Sequence, residues 1–230
     1  MLGGIVKGTL GVGLPLVVVP LLSLILPTTA AIGLVAIPVL ASNLWQAWDA
    51  QVGWPQMRRF LPLVLTLALT TLLTVPATLA MMPKTLDAML SVAVVTAVAL
   101  MAWRPRLRIP ERHVGRWGIV AGGISGILGG VSSLTGPIVI GCLMALKLSR
   151  EDFVGTVSVI YLCAAVPLYG SMAAYGRFGL AEVLISAVGL LPLGLGLALG
   201  KRLRGRLSEA VFRRTLLIFL TAIALLPLPK

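Results

Sequence analysis

"GIVKGTLGVGLPLVVVP", residues 4–20, decides how the rest of the chain is read. Its side chains are almost all apolar, yet it carries a lysine, Lys7, together with Gly8, Gly11, Gly13 and Pro15. A helix whose only task is to cross a bilayer gains nothing from either feature. A lysine inside the membrane is expensive, and closely spaced glycine and proline interrupt the helix. An interrupted apolar segment suits a re-entrant hairpin, two half-helices meeting at a tip. Such a tip is tolerated at membrane depth only where it lines a cavity or is buried in protein.

The surrounding chain is membrane material. It has 230 residues, 58% of them hydrophobic and 11% charged, with a mean hydropathy of +1.04. Apolar blocks recur at 1–26, 28–48, 60–82, 86–103, 117–148, 153–174, 181–200 and 212–228, most of them about as long as a bilayer crossing requires. The period-two alternation of barrel strands is missing. The expected fold class is therefore an all-α polytopic membrane protein. The N-terminus does not read as a secretory signal, because no short apolar core is followed by a polar mature domain. Cys142 and Cys163 both lie in apolar blocks and read as free thiols.

Composition also excludes function classes. A net charge of +12 would suggest nucleic acid in a soluble protein. Here the basic residues sit in short loops between apolar blocks and no aromatic stacking surface accompanies them, so no nucleic-acid partner is expected. The acidic residues Asp49, Asp87, Glu111, Glu151, Asp152, Glu182 and Glu209 all fall in loops or at block ends, and the lone histidine, His113, lies in a basic loop. No metal-ligand cluster, Ser/His/Asp set or P-loop is present. The chain reads as no enzyme, with no cofactor and no metal.

The two halves resemble each other. A shift of 122 positions lays Gly4 on Gly126, Gly8 on Gly130, Pro15 on Pro137 and Gly33 on Gly155. Matched leucines mean little in this composition, but matched glycines and prolines mark special backbone positions. The expected organisation is a first repeat at 1–103, a basic linker at 104–116 and a second repeat at 117–230.

Charge then sets the topology. If every block crossed the bilayer, basic residues would divide almost evenly between the two faces. If block 117–148 enters and leaves on one side, loops 49–59, 104–116, 147–152 and 201–214 share a face. They carry two, five, two and six basic residues, against Lys84, Arg177 and Lys230 opposite. That bias names the cytoplasmic face. Block 117–148 is then a hairpin with arms of about a dozen residues, roughly 18 Å each, turning within "GGISGILGGVSSLTGP" (122–137). By the repeat, block 1–26 is a second hairpin entering from the other side. Two inverted repeats follow, each a broken-helix hairpin plus three transmembrane helices, an arrangement found in transporters.

Residues 4–20, with "PVLASNLWQAW" (38–48), "GGISGILGGVSSLTGPIVIGCLMALKLSREDFVGT" (122–156) and "GKRLRGRLSEAVFRR" (200–214), resemble the TauE/SafE sulfite-exporter family of bacterial membrane proteins. The resemblance covers essentially the whole chain. It implies a multi-pass inner-membrane transporter of small anions, many of them sulfur compounds: sulfite, sulfonates, sulfoacetate-like compounds or thiosulfate. One departure is Ser132-Ser133-Leu134-Thr135, where the family's second motif is usually glycine-rich.

The candidate substrate site combines both tips. Unpaired N–H groups at a half-helix N-terminus hold an anion without side-chain charge, and proline suits the first turn beyond each tip. The first tip contributes Lys7, Thr9, Gly11, Gly13 and Pro15, and the second contributes Ser132, Ser133, Thr135, Gly136 and Pro137. Asn43 and Gln46 are three apart on one helix face, as are Ser158 and Tyr161. Thr66, Thr70, Thr74 and Thr78 form a second stripe, either lining a path or bonding their own helix carbonyls. The expected function is alternating access for a small anion around this site. The alternatives are an anion channel of the same fold and a non-transporting membrane subunit that docks a partner. The oligomeric state is not legible.

Overall fold

The computed structural model describes residues 1–82, 84, 85, 88, 89, 92, 113–133, 135–146, 148–208, 211, 214, 215 and 218. Most of blocks 86–103 and 212–228 and of the linker 104–116 lie outside these residues. Every regular element among the described residues is helical. The first half holds α1 (Leu2–Leu10), α2 (Leu14–Ser23), α3 (Thr28–Leu34), α4 (Ala36–Asp49), α5 (Trp54–Arg58) and α6 (Leu61–Leu79). The second holds α7 (Val114–Ser132), α8 (Gly136–Met144), α9 (Arg150–Ala174), α10 (Leu180–Val188) and α11 (Leu190–Arg206). Helices α6, α7 and α9 are each long and apolar enough to cross a membrane, and the bent pairs α3–α4 and α10–α11 qualify as two more.

Two tips form 122 positions apart, by the same backbone device. Gly11 takes φ +77° at the end of α1 and its N–H closes on the Lys7 carbonyl at 2.7 Å. Ser133, its counterpart 122 positions on, takes φ +58° at the end of α7 and closes on the Gly129 carbonyl at 2.8 Å. This is the left-handed cap that ends helices, easy for glycine and strained for serine. Pro15 and Pro137 then stand in the first turns of α2 and α8.

The arms differ from expectation. The first hairpin has arms of 9 and 10 residues, but the second has 19 and 9. At helical rise α7 is about 28 Å long, so it is a full-length helix rather than a half. The glycine pairs inside it are a packing face, not breaks. A Cβ on Gly126 would stand 2.5 Å from the Leu67 carbonyl oxygen of α6, and one on Gly130 would stand 2.8 Å from the Thr74 side chain. Close helix approach restores what glycine loses in helix propensity.

That packing recurs with the halves exchanged. On α1, a Cβ on Gly4 would stand 2.8 Å from the Leu193 carbonyl oxygen of α11, and one on Gly8 would stand 2.6 Å from that of Leu197. Gly4 and Gly8 are the counterparts of Gly126 and Gly130, and Leu193 and Leu197 lie 126 positions after Leu67 and Thr71. The first arm of each half thus lies along the third segment of the other half. Helices α4 and α9, which correspond at the 122 shift, pack against each other between these two seams.

Blocks 28–48 and 181–200 are bent, by 41° and 43°, where unbroken helices are expected. The bends meet. Ser186 of α10 accepts from the Ile37 N–H at 3.1 Å and donates to the Leu34 carbonyl at 2.7 Å, so one hydroxyl satisfies backbone groups on both sides of the α3–α4 break. Where loops 49–59, 147–152 and 201–214 meet, Lys201 of α11 pairs with Asp49 of α4 at 2.5 Å and Arg204 with Glu151 of α9 at 3.3 Å.

Candidate functional site

The two tips, α4, α6 and α9 enclose one cavity of about 30 Å³, room for roughly two waters or one small ion. The first-turn residues Gly13, Leu14 and Pro15 of the α2 end line one side, and Thr135 and Gly136 of the α8 end line the other. The first N–H groups of a helix have no partner within it, so two positive dipole ends meet here. Gly13, at φ +106°, holds a turn that a side-chain-bearing residue adopts only under strain.

Lys7 supplies the cavity's charge. It is 1% exposed, and its Nζ donates to Asn43 Oδ1 at 2.6 Å and reaches the Gly11 carbonyl at 3.5 Å. No carboxylate lines the cavity or pairs with Lys7 among the described residues. An ammonium carries three donors, and protein acceptors engage two of them here. Its ammonium is directed inward, to Asn43 of α4.

Gln46 holds the lysine's backbone instead of the cavity. Its Nε2 donates to the Lys7 carbonyl at 2.9 Å, and its Oε1 accepts from Ser158 Oγ at 3.0 Å. The same Lys7 carbonyl receives the Gly11 N–H. Gln46 and Ser158 therefore brace α1 against α4 and α9 behind the site.

Of the residues expected from the sequence, Lys7, Gly13, Pro15, Asn43, Ser133, Thr135, Gly136 and Tyr161 line the cavity. Gln46 and Ser158 do not. Gly11 forms the turn, and Thr9 returns its hydroxyl to the Ile5 carbonyl at 2.8 Å, as helix hydroxyls commonly do. Ser132 and Pro137 flank the second tip, with their side chains outside the described set. Thr66, Thr70, Thr74 and Thr78 each donate to the carbonyl four residues back, the second of their two readings.

Besides apolar wall residues, the lining residues that escape the sequence reading are Thr71, Gly129 and Tyr169. Thr71 sits one position off the threonine stripe and donates across to the Gly126 carbonyl at 3.3 Å. Gly129 is signalled only as the repeat counterpart of Lys7. Tyr169 lies eight residues, about two turns, beyond Tyr161 and beside Ser133. Among the described residues the buried Tyr161 hydroxyl has no partner; it lies 2.8 Å from where a Gly136 Cβ would stand. Among the described residues no group of His, Cys, Asp and Glu is arranged to hold a metal.

Comparison with known families matches residues 1–226 to the family described as "Sulfite exporter TauE/SafE". No curated protein and no solved structure matches the chain. With that match over nearly its whole length, and with its apolar helices, the chain belongs to the TauE/SafE sulfite exporter family and is a multi-pass membrane transporter of that type.

Proposed function

We propose that the protein moves a small anion, a sulfur oxyanion or small organosulfur anion, across a bacterial inner membrane by alternating access. The observation that carries the reading is one cavity, lined from both halves, at which two helix N-termini and a buried lysine converge. Every one of these features favours negative charge in a place where water is scarce. The loops 49–59, 104–116, 147–152 and 201–214 lie on the cytoplasmic side, as the positive-inside rule requires.

The two halves act as inverted repeats rocking about this site. The exchanged packing of α1 on α11 and of α7 on α6 supports the repeat. The glycine seams supply smooth surfaces along which helices slide, and the ion pairs Asp49–Lys201 and Glu151–Arg204 close the cytoplasmic end in this conformation.

Flux in proteoliposomes tests the reading. The expected result is saturable uptake of sulfite, accelerated by the same anion loaded inside. Single-channel conductance without such counterflow would replace the transporter by a channel. Absence of flux for every sulfur anion tried, together with a stably co-purifying protein, would favour the partner-docking subunit.

A further inference from the structure

We infer that the site selects singly charged oxyanions over doubly charged ones of the same size and shape. This rests on the anion-site reading above and goes beyond it by naming the charge class of the ligand.

The argument is a charge balance at the cavity wall. Lys7 is the one charged side chain lining it among the described residues. The 122 shift supplies no second cation: it lays Lys7 on Gly129 and Asn43 on Ala165. The second half contributes neutral donors instead. Ser133 is buried, Thr135 stands at the α8 end, and Tyr161 is 8% exposed, its buried hydroxyl without a partner among the described residues.

A monoanion seated here leaves the site near neutrality. A dianion leaves one uncompensated charge in a space walled by Leu14, Leu16, Val39, Ala164, Ala165 and Leu168, where desolvation is not repaid. Helix-end dipoles and hydroxyls soften that cost, but each offers only a partial charge. The same apolar wall accepts a methyl group where a dianion would present another oxygen. A cationic substituent has no carboxylate to meet, so a zwitterion fits no better.

Methanesulfonate and sulfate make the test direct. Both are tetrahedral, with five heavy atoms, and differ by one charge. Isothermal titration of purified protein in detergent, at constant ionic strength, is expected to show methanesulfonate binding at least tenfold tighter than sulfate. Asn43→Asp, nearly isosteric, places a carboxylate against Lys7 and is expected to lower methanesulfonate affinity at least tenfold without moving the thermal melt. Sulfate binding equal to or tighter than methanesulfonate would overturn the charge inference and leave the anion site standing. Binding of neither probe, nor of sulfite, by folded protein would overturn both. Unchanged methanesulfonate affinity in Asn43→Asp would remove Lys7 and Asn43 from the site, and the inference with them.

Discussion

The two tips share a backbone and divide the chemistry. Each ends its first arm with a left-handed residue whose N–H returns to the carbonyl four positions back, Gly11 to Lys7 and Ser133 to Gly129. Each then starts a short helix with proline in its first turn. At the positions facing the cavity the halves diverge. The first presents Lys7 and Asn43, and the second, at the corresponding places, presents Gly129 and Ala165. Tyr161 stands where the first half has Val39, and Thr135 where it has Gly13. Similar backbones at the two tips thus carry different lining side chains. Backbone geometry tolerates few residue types and holds both copies alike, whereas lining side chains are free to differ so long as they fill the same space.

The strongest way to break the comparison is to erase the charge that distinguishes the first tip. Lys7→Met keeps the length and the apolar fit but removes the ammonium. We expect anion flux to fall by at least 30-fold, corresponding to about 2 kcal/mol, the lower end for truncating a buried charged contact. Retained protein yield and an unchanged melt would exclude misfolding as the cause. Wild-type flux in this variant would show that the two helix ends suffice and that the asymmetry is incidental.

A comparably large effect is expected at the exchanged seams, this time on stability. Gly8→Val directs three extra carbons at the Leu197 carbonyl and the Gly200 backbone of α11. Overpacking of this kind costs up to about 3 kcal/mol. Gly130→Val, the equivalent change in the second half, meets the Thr74 side chain, which has more freedom to yield, and is expected to cost less. Thermal melts of the two variants in detergent measure the difference. Equal melts would deny that Gly8 is the tighter of these two positions.

Ser133→Gly makes the second tip copy the first. It relieves the left-handed strain of a serine, worth ~1 kcal/mol, and removes a hydroxyl from the cavity, worth about 1 kcal/mol of ligand contact. The expected outcome is a higher melting temperature with a severalfold higher KM for anion flux. A higher melt with unchanged KM would assign Ser133 to the turn alone.

The smallest effect is expected on the threonine stripe. Thr70→Val deletes a hydroxyl that bonds only its own helix, to the Thr66 and Leu67 carbonyls, and keeps the shape that Gly126 packs against. Stability is expected to change by less than about 0.5 kcal/mol, with flux unaltered. A clear loss of flux would place a conduction path along α6 and weaken the single-cavity reading.

How far the sequence reached differs between fold and site. Fold class and both tips follow from apolar block length and from glycine and proline positions. These signals are local, or repeat at a fixed spacing. Within the site, Lys7 stands out because an intramembrane lysine is costly, and Asn43 because an amide in an apolar helix needs a partner. Gln46 and Ser158 carry the same signal but serve behind the cavity, since the direction of a side chain about its helix axis depends on where neighbouring helices pack. Thr71 was hidden beside a more regular stripe. Tyr169 was hidden because nothing local tells a core tyrosine from a lining one.

By itself the sequence determined that this chain is helical and membrane-embedded, and that blocks 1–26 and 117–148 are interrupted at glycine and proline. Those properties rest on hydrophobic transfer and on the few residues that permit a left-handed turn, which act wherever the chain goes. Only the tertiary structure decided that α7 runs full length through its glycines and that blocks 28–48 and 181–200 bend together at Ser186. It alone decided that each half lays its first arm on the other half, so that Lys7 and Asn43 meet the hydroxyls of the second tip in one cavity. The reason is that glycine faces, unpaired backbone groups and a buried charge all require partners, and partners far apart in sequence are chosen by packing.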